Sequence, residues 1–209
     1  MLLMSPSPFF PELQNFIQEV ESLEPSAARQ ALLEPIIAYG RQCWDEKRTL
    51  WLQFICTHNS RRSQMAQAWA LVFAKKWQVD CAAYSGGTEL TACHPNTLEA
   101  MRQAGFKLEM QMGANPHQRL FWGPQAQPLA LWSKLYTDAA NPQENFAAVM
   151  TCTQAEESCP FIPQAEKRFP LYYDDPKAFD GTAGEIEAYQ ACSRQIASEM
   201  NYLFKNLAQ

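Results

Sequence analysis

The sequence predicts an α/β chain in which a parallel sheet is covered by helices on both faces. Three observations carry this. Residues 50–55, 79–84 and 146–151 are short apolar runs of strand length. Residues 64–76, 96–104 and 182–207 between and after them follow helical patterns. Strand and helix therefore alternate, which a chain does when each strand returns parallel to the last.

The first 46 residues read differently. Leu13, Phe16, Ile17, Val20 and Leu23 follow helical spacing, Pro25 and Ser26 break and recap the chain, and Leu32, Leu33, Ile36 and Ile37 form a second apolar face. Pro35 lies within that face and predicts a kink or a new helix start. Residues 1–46 are thus expected to be a helical N-terminal extension packed on a catalytic domain of residues 47–209. A partner-binding arm is the alternative, and the segment carries no chemistry of its own.

The run at residues 50–55 ends at Cys56 and a polar loop, after which residues 64–76 form an Ala-rich helix. The second strand stops at Ser85-Gly86-Gly87, and Gly105 ends the helix of residues 96–104. Prolines 116, 124, 128 and 142 interrupt residues 106–145, where Gly123-Pro124 suggests a hairpin turn between residues 119–122 and 129–135. A third strand at residues 146–151 also ends at a cysteine, Cys152. A short strand at residues 169–173 ends at Asp174-Asp175-Pro176. Ligands of parallel sheets bind beyond the carboxyl ends of the strands. The Cys56 loop, Cys152 and the Asp174-Asp175 pair all follow strand ends, so they are expected on one edge.

Composition narrows the function. The chain has 209 residues, 47% of them apolar and 12% aromatic, enough for a sizeable core. No apolar run approaches the roughly 20 residues that span a bilayer, and the start lacks the pattern of a signal peptide. The expected setting is cytoplasmic. A net charge of −5 gives no global attraction to nucleic acid or an anionic membrane. The seven cysteines are an odd number in a chain too large to need disulfide staples. Cys43, Cys81, Cys93 and Cys192 read as buried or incidental thiols. No second Cys or His pair has zinc-ligand spacing, so neither metal nor cofactor is expected. Trp69 and Trp77 read as core and helix-edge packing.

Cys56-Thr57-His58-Asn59-Ser60-Arg61-Arg62-Ser63 has the chemistry of an oxyanion site. A loop curling into a helix N-terminus presents backbone N–H groups to an anion, and the same field favours a cysteine thiolate. Arg62 supplies a planar fork for two oxyanion oxygens. Ser63 is placed to donate its hydroxyl to the thiolate, and Asn59 to brace the loop. A cation at a helix N-terminus is unfavourable without an anion, and this one has two. Arg61 itself reads as a solvated surface charge. His58 either contacts substrate or is a bystander.

Cys-Thr-His-Asn-Ser-Arg-Arg-Ser-Gln-Met-Ala resembles the signature loop of the low-molecular-weight protein tyrosine phosphatase superfamily, and most nearly its thioredoxin-coupled arsenate reductases. The resemblance covers about residues 48–105 and 146–205. It implies a four-stranded parallel sheet flanked by helices, with Cys56 as nucleophile and residues Thr57, His58, Asn59, Ser60, Arg61, Arg62 and Ser63 around the substrate. Asp175 matches the general acid of the Asp-Pro loop, with Asp174 as the second candidate; an Asp-Pro turn is the plainer reading of the dipeptide. The tyrosines that often follow that loop in tyrosine phosphatases are absent, with Lys177-Ala178-Phe179 in their place. Ser85–Glu89 and His94–Asn96 resemble a supporting loop. Gln67 stands where some reductases carry an acidic residue near a potassium ion, so no such ion is expected.

Cys152 and Cys159 resemble the redox pair of those reductases, with the same Cys-x6-Cys spacing. The resemblance implies a thiol relay from Cys56 to Cys152 to Cys159, reset by thioredoxin. Residues 155–157 must move for the two sulfurs to meet. Two further readings stand beside arsenate reduction: hydrolysis of phosphate esters through a Cys56 phosphocysteine, with the pair kept by ancestry or as protection against over-oxidation, and a non-catalytic oxyanion sensor.

Overall fold

The computed structural model describes residues 7–158 and 161–208. In chain order the elements are α1 (Pro11–Glu21), α2 (Ala27–Asp45), β1 (Leu50–Cys56), α3 (Arg62–Trp77), β2 (Cys81–Gly87), α4 (Pro95–Gln103), β3 (Lys107–Glu109), β4 (Gln118–Phe121), β5 (Leu129–Leu131), β6 (Phe146–Met150), α5 (Thr153–Ser158), β7 (Ala165–Pro170), a 3₁₀ turn (Pro176–Phe179) and α6 (Glu185–Leu207). The main sheet has the order β2-β1-β6-β7, with every pairing parallel. Among the described residues no helix is long and apolar enough to cross a membrane.

Burial explains which strands were readable. All five residues of β6 are buried, and β1 is buried at every position but Trp51. β7 is an edge strand whose Ala-Glu-Lys-Arg start is largely exposed, so no apolar run announces it. It therefore begins four residues before the expected strand at residue 169. Its pairing continues past Pro170, where Leu171 N–H donates to Met150 O at 2.9 Å and Tyr173 N–H to Thr151 O at 3.2 Å. That continuation carries Asp174 and Asp175 to the carboxyl edge, beside the ends of β1 and β6.

The N-terminal helices pack on α6 and join the main core. Leu13, Ile17, Val20, Leu33, Ile36 and Ile37 lie in one buried cluster with Leu52, Phe54, Trp69 and Phe204. Each such side chain contributes roughly 1.5–3 kcal/mol when fully buried. Phe16 stacks on Trp69 at 5.1 Å. Gly105, at φ +100°, ends the turn after α4 and lets α1 approach, since a Cβ there would lie 2.2 Å from Leu13 N. No new helix starts at Pro35. α2 runs through it as one helix, held by buried Leu33, Ile36 and Ile37 around the missing hydrogen bond. Ser26 caps α2 by accepting from Arg29 N–H.

Residues 118–131 form the expected hairpin, β4 with β5. β3 adds a third strand that its three residues did not announce. Beyond the hairpin the chain returns to β2, with Gly87 N–H donating to Lys134 O at 2.8 Å and Tyr136 N–H to Gly87 O at 2.9 Å.

Candidate active site

Residues 56–62 leave β1 at Cys56 and enter α3 at Arg62. Their carbonyls are tied outward. Thr57 O accepts from the N–H groups of Thr88 and Glu89, both at 2.8 Å. His58 O accepts from Ser133 Oγ at 2.8 Å and Thr91 Oγ1 at 3.1 Å. Asn59 O accepts from the Gln64 side chain. Ser60 O accepts from His94 N–H at 3.0 Å and Thr97 Oγ1 at 3.2 Å. With the carbonyls so engaged, the loop's N–H groups, apart from that of Asn59, are the donors it can offer an anion. Gly87 lies directly beneath: a Cβ there would be 2.7 Å from Thr57 O.

Asn59 is fully buried at φ +46° and fixes the centre of the loop. Its Oδ1 accepts from Lys134 N–H at 3.0 Å, and its Nδ2 donates to Ser63 Oγ at 2.9 Å. Ser63 Oγ lies 3.0 Å from Cys56 Sγ. With Asn59 donating to that oxygen, the Ser63 proton is the one directed at the sulfur. Asn59 N–H adds a second donor to Cys56 Sγ at 3.1 Å. Cys56 is 4% exposed and its sulfur has two aimed donors, which suits a negative charge on it.

The Arg62 guanidinium is buried and joins the loop to the acid segment. Its Nη1 donates to Tyr173 O at 2.8 Å and its Nη2 to Asp175 Oδ2 at 2.6 Å. Asp175 Oδ1 accepts from Lys177 N–H, capping the 3₁₀ turn. Asp175 is thus the member of the Asp174-Asp175 pair that reaches the loop. A cleft of about 680 Å³ opens here, lined by His58, Arg62, Cys152, Tyr172, Asp174 and Asp175 among others. His58 Nε2 lies 3.2 Å from Glu89.

Arg61 is not a solvated charge. Its Nε donates to Tyr189 Oη at 2.6 Å and its Nη2 to Asp180 Oδ2 at 3.1 Å, while Tyr189 Oη donates to Asp180 Oδ1 at 2.8 Å. Asp180 ends the 3₁₀ turn, so two consecutive arginines each hold one aspartate of the acid segment. His94 stacks on Tyr189 at 5.3 Å. Burial, with the nearby Arg61 charge, lowers the His94 pKa, and burial pushes Tyr189 up to about 12.

Cys152 is buried at the end of β6. Its Sγ lies 3.5 Å from Thr57 Oγ1 and accepts from Ala155 N–H at 3.4 Å. It shares a small apolar cluster with Cys56, Ile55, Met150, Ala155 and Ile162. Cys159 lies outside the described residues. Cys43, Cys93 and Cys192 are buried, and Cys81 is partly so; burial pushes the Cys93 and Cys192 thiols up to about 12. Gln67 donates to Ala83 O and accepts from Ser85 Oγ. Among the described residues no group of three or more His, Cys, Asp or Glu is arranged as metal ligands. Trp69 is buried with its Nε1 on Ser193 Oγ, and Trp77 reaches Asn201 Oδ1.

Sequence reasoning missed Ser133, Lys134, Thr91, Asp180 and Tyr189. Asp180 follows the Asp-Pro loop closely enough to have been considered. Ser133 and Lys134 sit in a stretch without periodicity and had no such signal.

The family of low molecular weight phosphotyrosine protein phosphatases matches residues 51–122. The arsenate reductase of Bacillus licheniformis is 30% identical over 167 residues, covering 78% of this chain and 96% of that protein. The arsenate reductase of Bacillus subtilis is 28% identical over 159 residues, covering 76% and 94%. Among solved structures, a YwlE mutant from Bacillus subtilis aligns with a TM-score of 0.53 at 18% identity, over 77% of this chain and 100% of that one. A low molecular weight phosphotyrosine phosphatase from Vibrio cholerae aligns with a TM-score of 0.52 at 14% identity, over 75% and 95%. At such identities the two structures bear on the fold alone.

Proposed function

The chain belongs to the low-molecular-weight phosphotyrosine protein phosphatase superfamily, and on that premise we propose that it is an arsenate reductase. Cys56 is the nucleophile, Arg62 and the N–H groups of residues 57–63 hold the oxyanion, and Asp175 is the acid. The observation that carries the reading is Cys152. Its sulfur sits against Thr57, the residue after the nucleophile, in the same cleft as Arg62 and Asp175.

The Cys56 thiolate attacks arsenate, forming a sulfur–arsenic bond and expelling one oxygen as water with a proton from Asp175. The Cys152 thiolate then attacks Cys56 Sγ. The sulfur–arsenic bond breaks, its electron pair stays on arsenic, and arsenite leaves a Cys56–Cys152 disulfide behind. Cys159 attacks Cys152 Sγ, freeing Cys56 as thiolate and leaving a Cys152–Cys159 disulfide. A thioredoxin-type dithiol protein reduces that disulfide, in the reducing cytoplasm. Names of the relatives support the reductase chemistry.

A second reading uses the same first step. Cys56, Arg62 and Asp175 suffice to hydrolyse a phosphate monoester through a phosphocysteine, and the direct Arg62–Asp175 contact serves that reading equally. The experiment that decides is arsenate-dependent NADPH oxidation with thioredoxin and thioredoxin reductase, run beside turnover of an aryl phosphate. Oxidation that requires arsenate supports the reductase. Aryl phosphate turnover without it supports the phosphatase.

A further inference from the structure

We propose that Arg29, on the N-terminal helix α2, is a positioning residue of the active site, anchoring the acid segment from outside the catalytic core. This rests on the assignment of Arg62 and Asp175 above.

Three contacts define it. Arg29 Nε and Nη2 donate to the two carboxylate oxygens of Glu199 on α6, both at 2.7 Å. Arg29 Nη1 donates to the Tyr172 carbonyl at 2.8 Å. The guanidinium also lies over the Tyr173 ring at 5.0 Å. Glu199 is 1% exposed, so the pair is a buried one on that side.

The geometry of the edge strand gives the third donor its meaning. Leu171 and Tyr173 turn their N–H groups toward β6. By the alternation of a strand, Tyr172 turns its carbonyl to the open edge, where no further strand among the described residues donates to it. Arg29 fills that position. One residue on, Tyr173 O points inward to Arg62, and two further on Asp175 meets the same guanidinium. Arg29 and Arg62 thus grip consecutive carbonyls from opposite sides of one extended strand. The height of that strand sets where Asp175 and the Arg62 fork stand relative to Cys56. A planar, bidentate guanidinium can hold Glu199 and Tyr172 O together; a lysine ammonium cannot reproduce both in one plane.

The test uses the full chain and reads inorganic phosphate protection of Cys56 against iodoacetamide, followed by peptide mass spectrometry. Arg29→Met alone leaves Glu199 buried and unpaired and is prone to unfold, so the decisive variant is Arg29→Met with Glu199→Met, which removes both charges. It is expected to keep a wild-type melting midpoint within a few degrees and yet to need roughly tenfold more phosphate for the same protection, the equivalent of one charge-assisted hydrogen bond. Arg29→Lys is expected to fall between. Arg41→Ala, which removes a bond from α2 to the Asn206 carbonyl elsewhere on α6, is expected to leave protection unchanged. Wild-type protection in the folded double variant overturns the proposal. If phosphate fails to protect Cys56 in the wild type, the oxyanion assignment itself is wrong and the brace falls with it.

Discussion

Arg62 donates to Asp175 through Nη2 and Oδ2 at 2.6 Å, so the cation assigned to the oxyanion and the acid assigned to its departing oxygen engage each other directly. A bound dianion on the Arg62 fork competes with that carboxylate for the same donor. Anion binding and release of Asp175 from the Arg62 fork are then one event.

Replacing Asp175 by Asn removes the transferable proton while keeping a hydrogen-bonding side chain. Turnover is expected to fall by roughly 10²–10⁴-fold, the usual contribution of a positioned acid. Phosphate protection of Cys56 should persist. Steady-state rates on Asp175→Asn and Asp174→Asn check this, and a larger loss in Asp174→Asn would reverse the assignment of the acid.

Ser63→Ala removes one of two donors aimed at Cys56 Sγ. A rate loss of up to about 10²-fold is expected, by analogy with loss of a single oxyanion donor. Asn59→Ala leaves Lys134 N–H without its side-chain partner and strips the Ser63 contact, at a cost of about 1–3 kcal/mol in stability. Urea unfolding of Asn59→Ala and alkylation rates of Cys56 in Ser63→Ala test the two roles separately.

Asp180→Asn should loosen the second arginine clamp. The Arg61–Asp180–Tyr189 network is mostly sheltered, and losing its charge is expected to cost about 1–2 kcal/mol. Activity should drop less than in Asp175→Asn, because the Arg61 guanidinium is engaged by Tyr189 and Asp180 and is not among the residues lining the cleft. A variant as stable as wild type would mean that Arg61 is held by Tyr189 alone.

Lys134 gives stability a distinctive pH dependence. Burial lowers its pKa from 10.5 to about 8, against weaker opposing effects of Asp138 and Cys93. Between those two values the unfolded chain binds a proton that the folded chain does not. The contribution of Lys134 to stability therefore rises with pH across that window, by an amount on the order of 3 kcal/mol, while the raised Cys93 and Cys192 thiols contribute with the opposite sign above about pH 9. Below about pH 8 the folded state carries the full cost of the buried charge, offset in part by the Trp132 ring 4.0 Å from Nζ. Lys134→Met is expected to lack this rise. Urea midpoints of both proteins at several pH values between 7.5 and 10.5 test it, and parallel curves count against it.

The chemistry was legible in the sequence where it is contiguous. Cys56 to Ser63 place a thiol, a bracing amide and a guanidinium within eight residues, at a switch from an apolar strand to a helix. Asp175 stood out because a proline follows it, and the structure brings its carboxylate to Arg62. The partners of these groups were not. Arg29 and Tyr172 are separated by 143 positions, and nothing local distinguishes such an arginine from a surface charge. Arg61 was misread for the same reason, since Asp180 and Tyr189 reach it from a different helix and turn. Ser133 and Lys134 act through a hydroxyl and backbone groups in a proline-interrupted stretch. β7 was misplaced because an edge strand needs no apolar run. The Pro35 helix persisted because burial on both sides outweighs one lost hydrogen bond.

Cys152→Ser separates the two outcomes open to the Cys56 adduct. Arsenite release should disappear, and any aryl phosphate hydrolysis should survive, because water can still resolve a phosphocysteine. Equal loss of both would show that Cys152 supports the loop structurally, through Thr57, without acting as a thiol.

The most direct test is a single turnover. Fully reduced wild-type protein is mixed with one equivalent of arsenate in the absence of any other reductant, and arsenite and disulfides are then quantified. The account predicts about one arsenite per chain, matched by one disulfide between Cys152 and Cys159, with Cys56 again free. All seven thiols remaining reduced, with no arsenite formed, would contradict it.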